Sequence, residues 1–130
     1  MTKLALDTNA YSALNAGDLV LARLVKTAST IGLPLSVLGE IYFGIFNSTR
    51  QSENLADLQD FTVNPRVILL AIDETTCRIY GEIATTLRQT GHPIQQNDMW
   101  IAALCKQYGY VLATRDTDFQ AIIGLETVCF

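Results

Sequence analysis

The sequence predicts an α/β fold, a three-layer α/β/α sandwich with a mostly parallel central sheet. Three observations predict it. Short runs rich in Leu, Ile and Val alternate along the 130 residues with longer stretches of helical period. One such run, Val67–Ile72, lacks polar alternation, as a strand buried on both faces does. Gly, Pro, Asn and Asp residues punctuate the boundaries between the two kinds of segment. Strands that alternate with helices build parallel sheets covered on both faces.

Each element has its own reason. Lys3–Asp7 is an apolar run that ends in an acid, and Thr8-Asn9 after it reads as a turn. Asp18 caps a helix to about Ala28 with Leu21, Leu24 and Val25 on one face. Ile31–Ser36 is a second strand, which Pro34 makes short or places at an edge. Ser36 then caps a helix whose Leu38, Ile41, Tyr42 and Ile45 recur at helical spacing. The polar Asn47–Asn54 stretch reads as a solvated loop and helix start, or as a border of a cleft. A helix over about Arg50–Phe61 precedes the Asn64-Pro65 turn and the third strand, Val67–Ile72. Asp73 opens a long helix to Gln89, closed by Gly91 and Pro93. Asn97 or its neighbour opens another, with Ile101, Leu104, Cys105 and Tyr108 as its buried stripe and Gly109 as its stop. Val111–Thr114 is the fourth strand and Glu126–Phe130 a fifth.

Composition bounds the function. Residues 1–130 suit a single domain. Apolar residues make up 49% and charged residues 17%, which excludes intrinsic disorder. No apolar run reaches the ~18 residues of a membrane span. Asp7 leaves no room for the apolar region of a signal peptide, so a cytoplasmic protein is expected. Cys77, Cys105 and Cys129 form no Cys-x-x-Cys pair and read as core thiols rather than as zinc ligands or disulfides. Thirteen acids against nine bases leave a net charge of −4, which at first sight disfavours a nucleic-acid partner. Setting aside Asp7, Glu40, Asp98, Asp116 and Asp118 leaves eight acids against nine bases, a remainder of +1. Acidity concentrated in a metal site therefore does not exclude RNA or DNA.

In parallel sheets ligands bind beyond the carboxyl ends of the strands. Asp7 ends the first strand, and Thr114-Arg115-Asp116-Thr117-Asp118 follows the fourth. Glu40 lies one turn into the helix after the second strand, within the apolar Val37–Phe46 stretch, and Asp98 lies in the first turn of its helix. Each alone reads as a cap or turn residue. Together they crowd one sheet edge, an arrangement that repels itself unless a cation compensates it. Hard oxygen ligands of this kind suit Mg²⁺ or Mn²⁺. His92, between Gly91 and Pro93, reads as solvent-facing, and Trp100 and Tyr108 as packing residues.

Four segments carry a family resemblance. Leu6-Asp7-Thr8-Asn9, Val37-Leu38-Gly39-Glu40-Ile41-Tyr42-Phe43-Gly44, Asn97-Asp98-Met99-Trp100-Ile101-Ala102-Ala103 and Leu112-Ala113-Thr114-Arg115-Asp116-Thr117-Asp118-Phe119 occur in this order. The chain thereby resembles PIN-domain ribonucleases, specifically the VapC-type toxins of bacterial toxin–antitoxin pairs, over nearly its whole length. The resemblance implies a PIN-like fold, with Asp7, Glu40, Asp98 and Asp116 as catalytic metal-binding acids. Asp118 matches a further acidic position that varies within the family. Thr8 and Thr114 match hydroxyl positions beside the metal acids, which support ligands or orient water. Arg115 reads equally as a phosphate contact and as a surface arginine. The implied activity is RNA cleavage by metal-activated water, with tRNA or ribosomal RNA as the usual targets. The implied partners are a cognate antitoxin protein and a second copy of the chain in a homodimer, with no membrane.

Other classes fit less well. A haloacid-dehalogenase-like phosphatase needs a second acid where Asn9 stands, and a lysine near the fourth strand. A response-regulator receiver needs an acidic pair near the first strand and a late lysine, and the only lysine of the second half is Lys106, in mid-helix. A solitary RNA-processing nuclease and a non-catalytic metal-stabilised binding module are the remaining alternatives. One histidine cannot supply the acid–base pair of a metal-independent ribonuclease.

Overall fold

A computed structural model describes residues 2–130. Five strands, β1 (Lys3–Leu6), β2 (Thr30–Pro34), β3 (Val67–Leu70), β4 (Val111–Ala113) and β5 (Thr127–Val128), form one sheet in the order β3-β2-β1-β4-β5. Every pairing is parallel, with Leu4 opposite Ile31 on one side and Val111 on the other. Helices α1 (Thr8–Asn15), α2 (Leu19–Thr27), α3 (Leu35–Phe46), α4 (Gln51–Thr62), α5 (Glu74–Thr90) and α6 (Gln96–Tyr108) connect them, with a short 3₁₀ turn at Thr117–Ala121.

Side chains alternate across a strand, and here the alternation divides the core in two. Leu4, Leu6, Ile31 and Ala113 pack on one face with Ala10 of α1 and Leu21 of α2. Ala5 and Leu112 pack on the other with Val37, Ile41 and Ile45 of α3, Ile83 and Leu87 of α5, and Ile101 and Leu104 of α6. This is the three-layer arrangement that the alternation of elements predicts. Gly32 on β2 admits the Tyr110 ring, since a Cβ there would lie 2.8 Å from it. Tyr110 in turn accepts a hydrogen bond from Thr30 Oγ1 at 3.2 Å.

Several local expectations are corrected. The residues after Asp7 form α1 rather than a turn, because the Asp7 carboxylate accepts from Ala10 N at 2.8 Å and caps a helix immediately. Pro34 ends β2, which is central rather than an edge, and Pro34 rather than Ser36 precedes α3. Val37 replaces Tyr42 in the buried stripe of α3. The apolar run Val67–Ile72 is the edge strand β3 with Ile68 and Leu69 exposed, not a strand covered on both faces. Only Cys105 is a core thiol, with Cys77 and Cys129 exposed. Asp18 caps α2 through Leu21 N at 2.9 Å and Asp73 opens α5, both as anticipated, and Thr76 completes a reciprocal cap with Asp73.

Candidate active site

Strand β1 lies between β2 and β4, so the strand order reverses there, and sheets of this kind bind ligands in the crevice beyond the carboxyl ends at that point. Asp7 enters this crevice from the end of β1 and is 6% exposed. Its cap to Ala10 N fixes the carboxylate. Burial raises its pKa, hydrogen bonds from Thr114 and Ala10 oppose the rise, and Asp116 and Glu40 add to it. Thr114, buried after β4, links two of the acids, since its Oγ1 also accepts from Asp116 N at 3.0 Å. Asp116 caps the 3₁₀ turn by accepting from Asp118 N at 2.9 Å.

Asp98 occupies the first turn of α6, where it is half-buried. Its pKa is pushed up to about 6, chiefly by burial and then by Asp116, Glu40, Asp7 and Asp118. Those causes place five carboxylates in one field. Glu40 is exposed, contrary to what its apolar neighbours in α3 suggest, and its carboxylate accepts from the Asn97 side chain. Asp118 is exposed and adds to the rise at Asp98 but not at Asp7. Among the described residues the ion pairs are Arg50–Glu53, Arg78–Glu82 and Arg115–Asp18, and none reaches the cleft acids.

The donor set suits a hard divalent cation, since every candidate ligand is a carboxylate and the charge is uncompensated. Among the described residues no three acids converge as a finished ligand set. Glu40 is held by Asn97, and Asp116 accepts from Asp118 N in its own 3₁₀ turn. Rotation of side chains on α3 and α6 toward the fixed Asp7 is what closing on an ion requires. Asp7 is buried and Asp98 and Asp116 are half-buried, so these three could hold an ion, with Glu40 exposed beside them.

Arg115 follows the second of its two readings, a surface arginine, and Asn97 departs from its own. Arg115 turns away from the cleft: Nη2 donates to Asp18 at 2.8 Å, Nε donates to the Phe130 carbonyl, and the guanidinium lies over the Phe130 ring. Asn97, which sequence presents as a helix cap, is the partner of Glu40, and the cap is Gln95. Its position beside Asp98 was the available signal, but cap propensity explains an Asn there equally well. Thr8, Tyr11, Ser12, Asn15 and Asn54 line a cleft of about 340 Å³ that adjoins Glu40. The Asn47–Asn54 stretch thus borders the cleft at Asn54. His92 is exposed, as expected.

Known proteins are similar to this chain in sequence and in fold. The chain is 31% identical over 126 residues to Ribonuclease VapC1 of Haemophilus influenzae strain R2866, covering 93% of this chain and 92% of that protein. It is 26% identical over 97 residues to Ribonuclease VapC4 of Mycobacterium tuberculosis H37Rv, covering 75% of each. Among solved structures, VapBC2 of Rickettsia felis, bound to a DNA fragment from its promoter, contains a chain that aligns with TM-score 0.85 and 25% identity over 99% of both chains. A chain of VapBC-1 from nontypeable Haemophilus influenzae aligns with TM-score 0.82 and 27% identity over 98% of both. The PIN domain model matches residues 4–125, a stretch that begins in β1 and takes in all five cleft acids. With that model matching most of its length, the chain belongs to the PIN domain family.

Proposed function

We propose that residues 1–130 form one nuclease domain, a metal-dependent endoribonuclease that serves as the toxin of a toxin–antitoxin pair. The observation that carries this reading is the uncompensated field of Asp7, Glu40, Asp98 and Asp116 at the switch point of a parallel sheet. Its relatives support it, being named ribonucleases, with similar chains found in VapBC complexes. Mg²⁺ or Mn²⁺ bound by these acids supplies positive charge for the scissile phosphate and activates water for attack. Asp7 and Asp116 hold their positions through helix caps, and Thr114 ties the two together. Asn97 orients Glu40, and Asp118 lies within electrostatic reach of Asp98. Thr8 stands beside Asp7 with its hydroxyl buried.

The substrate is RNA, with tRNA or ribosomal RNA the expected class. An antitoxin protein would inhibit the enzyme by presenting a basic side chain to the acidic cleft, where an arginine can replace the cation's charge. A homodimer in the cytoplasm is the expected form. Among the described residues no helix is long and apolar enough to cross a membrane.

Product chemistry tests the reading. Purified protein incubated with cellular RNA should leave 5′-phosphate and 3′-hydroxyl ends, stop with chelator and resume with Mg²⁺ or Mn²⁺. His92→Ala should still cleave. Fragments bearing 2′,3′-cyclic phosphate in the presence of chelator would sink the proposal.

A further inference from the structure

Beside the carboxylates, the cleft of about 340 Å³ is of a size that holds a small ligand. Two of its hydroxyls are buried: Thr8 Oγ1 has no hydrogen-bond partner among the described residues, and Tyr11 Oη has only the exposed Asn15 side chain within reach. Tyr11 is 4% exposed, and its ring packs edge-on against Phe61 with centroids 5.3 Å apart, so its hydroxyl is preset. A buried hydroxyl without a partner is unfavourable, and a polar group entering at the cleft floor relieves that state. Ser12 and Asn15 are exposed around it, with Asn15 adjoining the Tyr11 hydroxyl. Asn54 donates from Nδ2 to Ser48 Oγ at 3.1 Å.

The lining selects the chemistry of the occupant. No Lys or Arg lines this cleft and Glu40 forms one wall, so a bare phosphate is repelled. Side-chain amides and hydroxyls that donate and accept side by side match the edge of a nucleobase. An unpaired base presents that edge freely, whereas a base within an RNA helix does not. We infer that this cleft is a subsite for one unpaired nucleobase of the RNA, adjacent to the phosphate at the carboxylates and read by Tyr11, Asn15 and Asn54. The inference rests on the nuclease reading above and adds to it a source of sequence preference.

The test is cleavage of a random-sequence RNA pool by the wild type, Tyr11→Phe, Asn15→Ala and Asn54→Ala, followed by sequencing of the 5′ ends. Tyr11→Phe keeps the ring against Phe61, and the two asparagines lie outside the core, so thermal melting should show all three folded. The wild type should prefer one base at a fixed step from the cut. Each variant should lose about two- to tenfold of that preference, the scale of one hydrogen bond. Wild-type cleavage with no preference, or a preference untouched by all three variants, overturns the inference while the nuclease reading stands. No wild-type cleavage with added Mn²⁺ removes the nuclease reading and the inference with it. Variants that retain the base preference but lose inhibition by an antitoxin would also overturn it, and would assign the cleft to the protein partner.

Discussion

Asp98 meets both a partly apolar environment and four other carboxylates, and the pKa of about 6 that results has a sign that can be worked out. Its folded value lies above the ordinary 3.8, so between the two the folded state holds more protons than the unfolded one. Stability is therefore fully present below the unfolded value and is lost as pH rises through about 6. Asp7 is displaced in the same direction. We predict that metal-free protein melts at a higher temperature as pH falls from about 7 to about 5, followed by thermal denaturation in chelator. Asp98→Asn should melt above the wild type at neutral pH, flatten this dependence, and lower cleavage by about a hundredfold or more. A metal-free Asp98→Asn protein that melts below the wild type would count against the repulsion argument. Asn97 gives a second prediction at this scale. Asn97→Ala should weaken Mn²⁺ binding by about tenfold, as loss of a ligand's supporting partner does, read by titration calorimetry without substrate. An unchanged titration would place Asn97 outside the site. The acids themselves were readable because their chemistry is unusual as a set. Asn97 and Arg115 were not, since each contacts a residue remote in sequence, Glu40 and Asp18 respectively.

At the scale of elements, period and capping chemistry carry most of the information. Asp18 and Asp73 announce α2 and α5, and Gly91 and Gly109 end α5 and α6 with φ of +70° and +75°. Helix α1 escapes notice because one residue, Asp7, ends the approach from β1, caps a helix and faces the cleft at once. Strand β3 is misjudged for a different reason: an unalternating apolar run signals a strand but not its neighbours, and β3 has one neighbour only. Close packing between elements is likewise invisible in one dimension. Gly32 is the example, touching Tyr110 and Leu70 across the sheet. Gly32→Ala should destabilise by about 1–3 kcal/mol through overpacking, measured as a lower denaturant midpoint at unchanged slope. A wild-type midpoint would mean that the Tyr110 ring shifts freely.

For the whole molecule, the acidic balance and the proposed activity are two aspects of one charge distribution. Five of thirteen acids belong to the candidate site, so a bound cation changes the field that RNA meets. It should also hold the fold more tightly. Mn²⁺ at about a hundred times its dissociation constant should add about 2.7 kcal/mol of stability, and Asp7→Asn should abolish the gain. Equal stabilisation of wild type and variant would place the ion elsewhere. The sheet as a whole was readable from the alternation of strands and helices. The strand order was not, because which strands flank β1 depends on contacts between distant segments rather than on local pattern.

That strand order also governs when the protein becomes able to act during its own synthesis. Strand β1 leaves the ribosome first yet lies in the middle of the sheet, and its partner β4 begins at Val111. Until that late segment emerges, Leu4 and Leu6 lack one neighbour, and Asp7 lacks Thr114 and Asp116. A nascent or truncated chain ending before Val111 holds three of the five acids on an incomplete sheet. A translation product interrupted before that segment should therefore be harmless to the cell that makes it, and toxicity should begin only once β4 and the acids after it have been made.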